Sequence, residues 1–124
     1  MIKWMNLIFG SVAGGAARYV LAGAVQAAFG PSFPYGTLVV NMTGCLMIGV
    51  FDALANDKFL LGPDARILLM TGFCGAFTTF STFILETSNL FRSSEYARAF
   101  ANVTVSVALG FLLFRTGQIL GRVL

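Results

Sequence analysis

Thr71-Gly72-Phe73-Cys74-Gly75-Ala76-Phe77-Thr78-Thr79-Phe80-Ser81-Thr82-Phe83 lies inside an apolar segment that runs from about Ala65 to Phe91. Two glycines, four phenylalanines and five hydroxyl side chains share its thirteen positions. A segment of this length and polarity suits a membrane span, which needs about 20 mostly apolar residues. Hydrocarbon offers no water to a loosened helix, so backbone freed there must be buried in protein or line a polar cavity. The stretch therefore predicts a third helix broken near Gly72–Gly75, with a permeation or ion-binding site around the break.

The rest of the chain has the same character. Hydrophobic residues make up 57% and charged residues 10%, against about 25% charged in a typical soluble domain. Apolar segments cover about 5–29, 35–55, 65–91 and 96–120 of the 124 residues. The expected fold is an all-α membrane protein, a single multi-pass domain over 1–124 with four transmembrane helices in the lipid bilayer. That leaves no room for a soluble catalytic domain. There is no His, no metal-ligand cluster, no phosphate loop and no nucleophile–base pair, so an enzyme is not expected. The net charge of +3 without a Lys/Arg run gives no nucleic-acid signal. Cys45 and Cys74 have no close spacing and give no metal signal. Lys3, the apolar run to Phe9 and Ser11-Val12-Ala13 imitate a signal peptide, but the apolar pattern continues through Arg18 to Phe29, as in a retained helix.

Gly30-Pro31-Ser32-Phe33-Pro34 is a short turn, and Asn56-Asp57-Lys58 begins the next connection, which ends at Gly62-Pro63. Asp64 and Ser94 are placed to cap the third and fourth helices. Lys58, Arg66, Arg92 and Arg98 read as interfacial anchors. Four spans put both termini on one side, with Lys3, Lys58, Arg66, Arg115 and Arg122; Arg92 and Arg98 lie on the other. Orientation follows Lys/Arg asymmetry in short loops, and here the asymmetry is shallow. Insertion in both orientations would yield an antiparallel, dual-topology homodimer, the symmetry that other transporters build from inverted repeats.

Several polar residues fall inside spans. Arg18 lies near the middle of the first, where an arginine usually faces a bundle interior or a water-filled cavity; snorkelling or pairing with Glu86 is the plainer role. Asn41 either donates to an anion or joins helices. Phe80 and Phe83 share a helix face. They either pack or turn their electropositive ring edges to an anion, with Ser81 and Thr82 adding donors. Carbonyls loosened between Gly75 and Thr78 suit a hard cation such as Na+, or merely allow close packing. Glu86 follows Phe83 on the same face, Asp52 lies near a helix end, and Asn102, Ser106 and Gly110 form a stripe on the fourth span. Gly10/Gly14 and Gly117/Gly121 signal close helix packing.

Gly14-Gly15-Ala16-Ala17-Arg18-Tyr19, Gly36-Thr37-Leu38-Val39-Val40-Asn41-Met42-Thr43-Gly44-Cys45 and the Thr71–Phe83 stretch, in that order, resemble the Fluc fluoride channels, also called CrcB proteins, over essentially the whole chain. The resemblance implies a dual-topology homodimer in the bacterial plasma (inner) membrane, with two antiparallel pores exporting fluoride ion passively and rejecting chloride. It implies pore-lining roles for Asn41, Phe80 and Phe83, a polar track including Ser81, Thr82 and Ser106, and vestibule charges at Arg18 and Glu86. It also implies a structural Na+ at the dimer centre on the carbonyls of Gly75 and Thr78. Asn102 and Gly110 have no clear counterpart in that track. The alternatives are a small multidrug-resistance-type proton-coupled transporter, which needs an acid where the first span carries Arg18, and a non-transporting assembly subunit.

Overall fold

The computed structural model describes residues Met1–Leu124 and is all helical. Four helices are long and apolar enough to cross a membrane: Ile2–Phe29, Tyr35–Asp57, Pro63–Arg92 and Tyr96–Val123. The first lies along the third and the second along the fourth, while the first and second also touch.

Glycines set these pairings. A Cβ on Gly14 would collide with the Phe73 carbonyl, and one on Gly10 with that of Leu68. Between the second and fourth helices, a Cβ on Gly49 would strike the Phe114 carbonyl and one on Gly117 the Leu46 carbonyl. Within lipid, helices associate largely through such close packing and interhelical hydrogen bonds. Because the obstacles are backbone, Gly14→Val and Gly117→Val should each destabilise the fold by about 1–3 kcal/mol or more, the usual cost of overpacking. Thermal unfolding in detergent measures this; an unchanged midpoint in both would remove the glycines from the packing argument.

The connections are tied by single side chains. The first helix ends at Gly30, whose φ of 88° suits glycine. Gln26 Nε2 donates to the carbonyls of Gly30 (2.6 Å) and Phe33 (2.9 Å), and its Oε1 accepts from the Gly36 N–H at 3.1 Å. One amide thus ties three backbone groups of the Pro-containing turn together, adding to the Tyr35 N–H that the Phe33 carbonyl already accepts at 2.8 Å. At the other end, the Arg66 guanidinium donates to the carbonyls of Leu61 (3.1 Å) and Ala55 (2.6 Å) and to Asn56 Oδ1 at 3.0 Å. Rather than a simple interfacial anchor, Arg66 clamps the carbonyl end of the second helix, where acceptors lack helical partners. Asp52 accepts from Asn56 Nδ2 and Gln118 Nε2, bridging the second and fourth helices.

Two expected caps are displaced. Gly62 precedes the third helix, Pro63 opens it, and Asp64 sits in its first turn, where the helix dipole still favours a carboxylate. Ser94 forms a left-handed turn (φ 59°), so the fourth helix starts after Glu95 with no side-chain cap.

The break in the third helix is also displaced. Backbone runs helically through both glycines, as a π-helical stretch Ile67–Cys74 followed by Gly75–Phe77. The chain opens at Thr78 (φ −86°, ψ 161°) and Thr79 (φ −151°, ψ 121°), and helix resumes over Phe80–Arg92. Glycine only permits a break, whereas these threonines supply one. Their β-branched side chains favour extended backbone, and their hydroxyls replace helical partners. Thr78 Oγ1 donates back to the Cys74 carbonyl at 2.9 Å, and Thr79 Oγ1 caps the second half by accepting from the Thr82 N–H at 3.3 Å. Gly72 serves packing instead, since a Cβ there would approach Gly10 Cα and the Leu7 carbonyl at 3.1 Å each.

Candidate functional site

Asn41 spans the break from the second helix. Its Nδ2 donates to the Thr79 carbonyl at 3.0 Å, and its Oδ1 accepts from the Thr79 N–H at 2.8 Å. The amide thereby satisfies both backbone groups of the extended residue. One of its two Nδ2 hydrogens remains for another acceptor.

A cavity of about 410 Å³ lies against this point, and its lining includes Asn41, Gly75, Thr78, Phe80, Phe83 and Ser106. The rings of Phe80 and Phe83 are 5.8 Å apart at 46°. Phe83 is buried, but Phe80 is 75% exposed on a single chain. A second cavity of about 680 Å³ holds Arg18, Thr37 and Thr82. Thr79 borders both. No carboxylate lines either one, so the only full charge there is that of Arg18. Arg18 forms no ion pair within the chain. Glu86 accepts from Thr37 Oγ1 instead and borders a third cavity of about 440 Å³, beside Gln26 at the end of the first helix and Phe33 of the first turn. Polar groups therefore run from Glu86 through Thr37 and Thr79 to the phenylalanine pair.

Of the residues singled out from sequence, Asn41, Gly75, Thr78, Phe80, Phe83 and Ser106 meet in one cavity, and Arg18 and Thr82 in the next. Glu86 stands at the far end, and Ser81 is exposed and borders none of the three. Asn102 lies behind the site. It is buried and donates to Thr87 Oγ1 at 2.9 Å, and Thr87 Oγ1 donates to the Phe83 carbonyl at 2.7 Å. Sequence reading passed over Thr37 and Thr79. Thr37 sits four residues before Asn41 on one helix face, and Thr79 precedes Thr82 at capping distance; these were the available signals.

The carbonyls of Gly75 and Thr78 are the expected ligands of a cation. Neither accepts any hydrogen bond from a side chain or from the backbone outside the regular helices: the Thr79 N–H that would have reached Gly75 turns to Asn41, and the Thr82 N–H that would have reached Thr78 turns to Thr79 Oγ1. No three His, Cys, Asp or Glu side chains come together closely enough to hold a metal ion. This donor set of main-chain oxygens fits a hard cation such as Na+, with only two oxygens per chain.

Residues 5–118 match the family model described as CrcB-like protein, Camphor Resistance (CrcB). The chain belongs to the CrcB family. The matched region holds every residue of the three cavities. This CrcB chain is 41% identical to the "Fluoride-specific ion channel FluC" of Maridesulfovibrio salexigens, covering 100% of this chain and 98% of that protein. It is 44% identical to the protein of the same name from Solidesulfovibrio magneticus, over 90% of each. The "Fluoride-specific ion channel FluC" of Nitrosococcus oceani is 42% identical over 94% of this chain and 99% of its own.

Proposed function

We propose that this chain is a fluoride-selective channel of the bacterial inner membrane, exporting fluoride passively as an antiparallel dual-topology dimer with two pores. The observation that carries the reading is the carboxylate-free cavity at the Thr78–Thr79 break, where Asn41, Phe80, Phe83 and Ser106 meet beside the Arg18 cavity. The names of its full-length relatives support fluoride as the ion.

The chemistry follows from the ion. Fluoride is small and holds its water tightly. A pore must replace that water with close donors, yet bind weakly enough to release the ion. Arg18 supplies a favourable field at the wide cavity. Thr82, Ser106 and the remaining Asn41 N–H supply donors, and the edges of Phe80 and Phe83 supply partial positive charge. Ser81, outward-facing on one chain, would join this track only through a second copy. Glu86 and Thr37 mark the outer end. A proton-coupled cation transporter is disfavoured, because no acid lines the two inner cavities. The test is fluoride and chloride efflux from the same proteoliposomes. Fast fluoride efflux with no proton gradient and little chloride efflux is expected; equal rates for both anions would reject the reading.

The dimer rests on two features: the shallow Lys/Arg bias, and Phe80, whose large exposed ring borders the cavity. Reporters fused to the C-terminus should give signal on both sides of the membrane. Signal on one side only would rule out dual topology.

Two chains would bring four carbonyls, from Gly75 and Thr78 of each, around one Na+ on the two-fold axis. Left empty, such carbonyls cost several kcal/mol apiece in lipid. Replacing Na+ exhaustively with a large organic cation should lower both dimer stability and fluoride efflux. Unchanged stability and flux would eliminate the central ion.

A further inference from the structure

Sulfur is concentrated at the cavity beside the break. Met42 and Cys45 lie three residues apart on the second helix, and Met70 and Cys74 four apart on the third. All four line the same cavity of about 410 Å³. Three-residue and four-residue spacings each put both members of a pair on one helix face, so two sulfur pairs border one space from two helices. The second helix's pair converges on the fourth helix as well. A Cβ added to Gly110 would meet Cys45 Sγ at 3.3 Å and Met42 Cε at 3.4 Å. Both cysteines are free and Cys74 is buried; its main-chain carbonyl accepts from Thr78 Oγ1, but neither thiol makes a hydrogen bond. Spacing along the chain hides this grouping, because the cysteines are far apart in sequence.

We propose that this cavity is a binding site for a soft, thiophilic monovalent cation, with Cu(I) or Ag+ as its chemical class. Thiolate and thioether donors select such ions over hard ones. The sulfur set is therefore distinct in chemistry from the carbonyl oxygens of Gly75 and Thr78 on the same wall. Cys45 and Cys74 bind as thiolates, each losing its proton to solvent as the ion enters. Met42 and Met70 complete the shell without a proton change.

The experiment uses the full-length protein in detergent, reduced and then freed of reductant, in chloride-free buffer. Ag+ is titrated as nitrate, and bound silver per chain is measured after desalting. One ion per chain is expected. Cys45→Ser and Cys74→Ser should each weaken binding by at least about tenfold, since even removing a partner of a metal ligand costs that much. Met42→Leu combined with Met70→Leu should weaken it as well. Retained affinity in either cysteine variant overturns the shared site. Loss of half the silver in each cysteine variant also overturns it, because that pattern belongs to two separate thiols. Undiminished binding in the methionine double variant refutes the four-sulfur shell. Because a variant can misfold, the unmutated protein loaded with Cu(I) provides an independent readout: a near-ultraviolet thiolate-to-copper absorption, whose absence overturns the proposal. None of these measurements involves fluoride, so they stand apart from the channel reading.

Discussion

Asn41→Leu should cost the protein both its stability and its fluoride flux. The leucine fills similar volume but leaves the Thr79 N–H and carbonyl without partners. Leaving a fully buried backbone group without a partner costs about 1–3 kcal/mol; these two are part-buried, so each should cost toward the lower end of that range. The break should collapse toward helix or the dimer should fall apart. Asn41→Asp separates holding the break from donating to an anion. Its carboxylate keeps an acceptor for the Thr79 N–H but loses the donor to the Thr79 carbonyl and places negative charge on the cavity wall, in the path proposed for the anion. Intermediate stability with flux as low as that of Asn41→Leu is therefore expected. Thermal unfolding in detergent and initial efflux rates from proteoliposomes measure the two effects. A stable, fully active Asn41→Leu protein would show that the amide bridge neither holds the break nor serves the ion.

Phe80→Ile and Phe83→Ile should each slow fluoride efflux by about tenfold, equivalent to roughly 1.4 kcal/mol at the limiting barrier. Isoleucine retains much of the apolar bulk and removes the electropositive ring edge. The two sites differ in burial, which predicts a second contrast. Phe83 is 8% exposed, and Phe80 is 75% exposed on one chain. Phe83→Ile should lower the unfolding midpoint of the solubilised protein more than Phe80→Ile does. Normal flux in both single variants would reduce the rings to packing. Asn102 and Thr87 hold the Phe83 turn from behind through their hydrogen bonds, so the ring's position depends on groups that do not touch the cavity.

The sequence by itself determined the four apolar helices, because span length and polarity are local properties that hydrocarbon enforces residue by residue. It also singled out Arg18, Asn41, Phe80, Phe83 and Ser106, since polar groups and clustered rings are conspicuous against an apolar background. The close-packed glycines at Gly10, Gly14 and Gly117 were legible for a related reason: small residues at helical spacing mark where backbones approach. What only the tertiary structure decided was where the third helix opens and which groups meet there. Local reading placed the break at Gly72–Gly75, because glycine lowers the cost of leaving a helix. The structure places it at Thr78–Thr79, because an interrupted helix in lipid needs partners for its freed groups. Those partners come from Asn41, 38 residues away in the chain, and from hydroxyls whose caps form only once the chain has turned. Gly72, meanwhile, is held helical against Gly10 by a contact that no window of sequence displays. The same holds for Cys45 and Cys74, which spacing leaves unrelated and helix packing sets on one cavity.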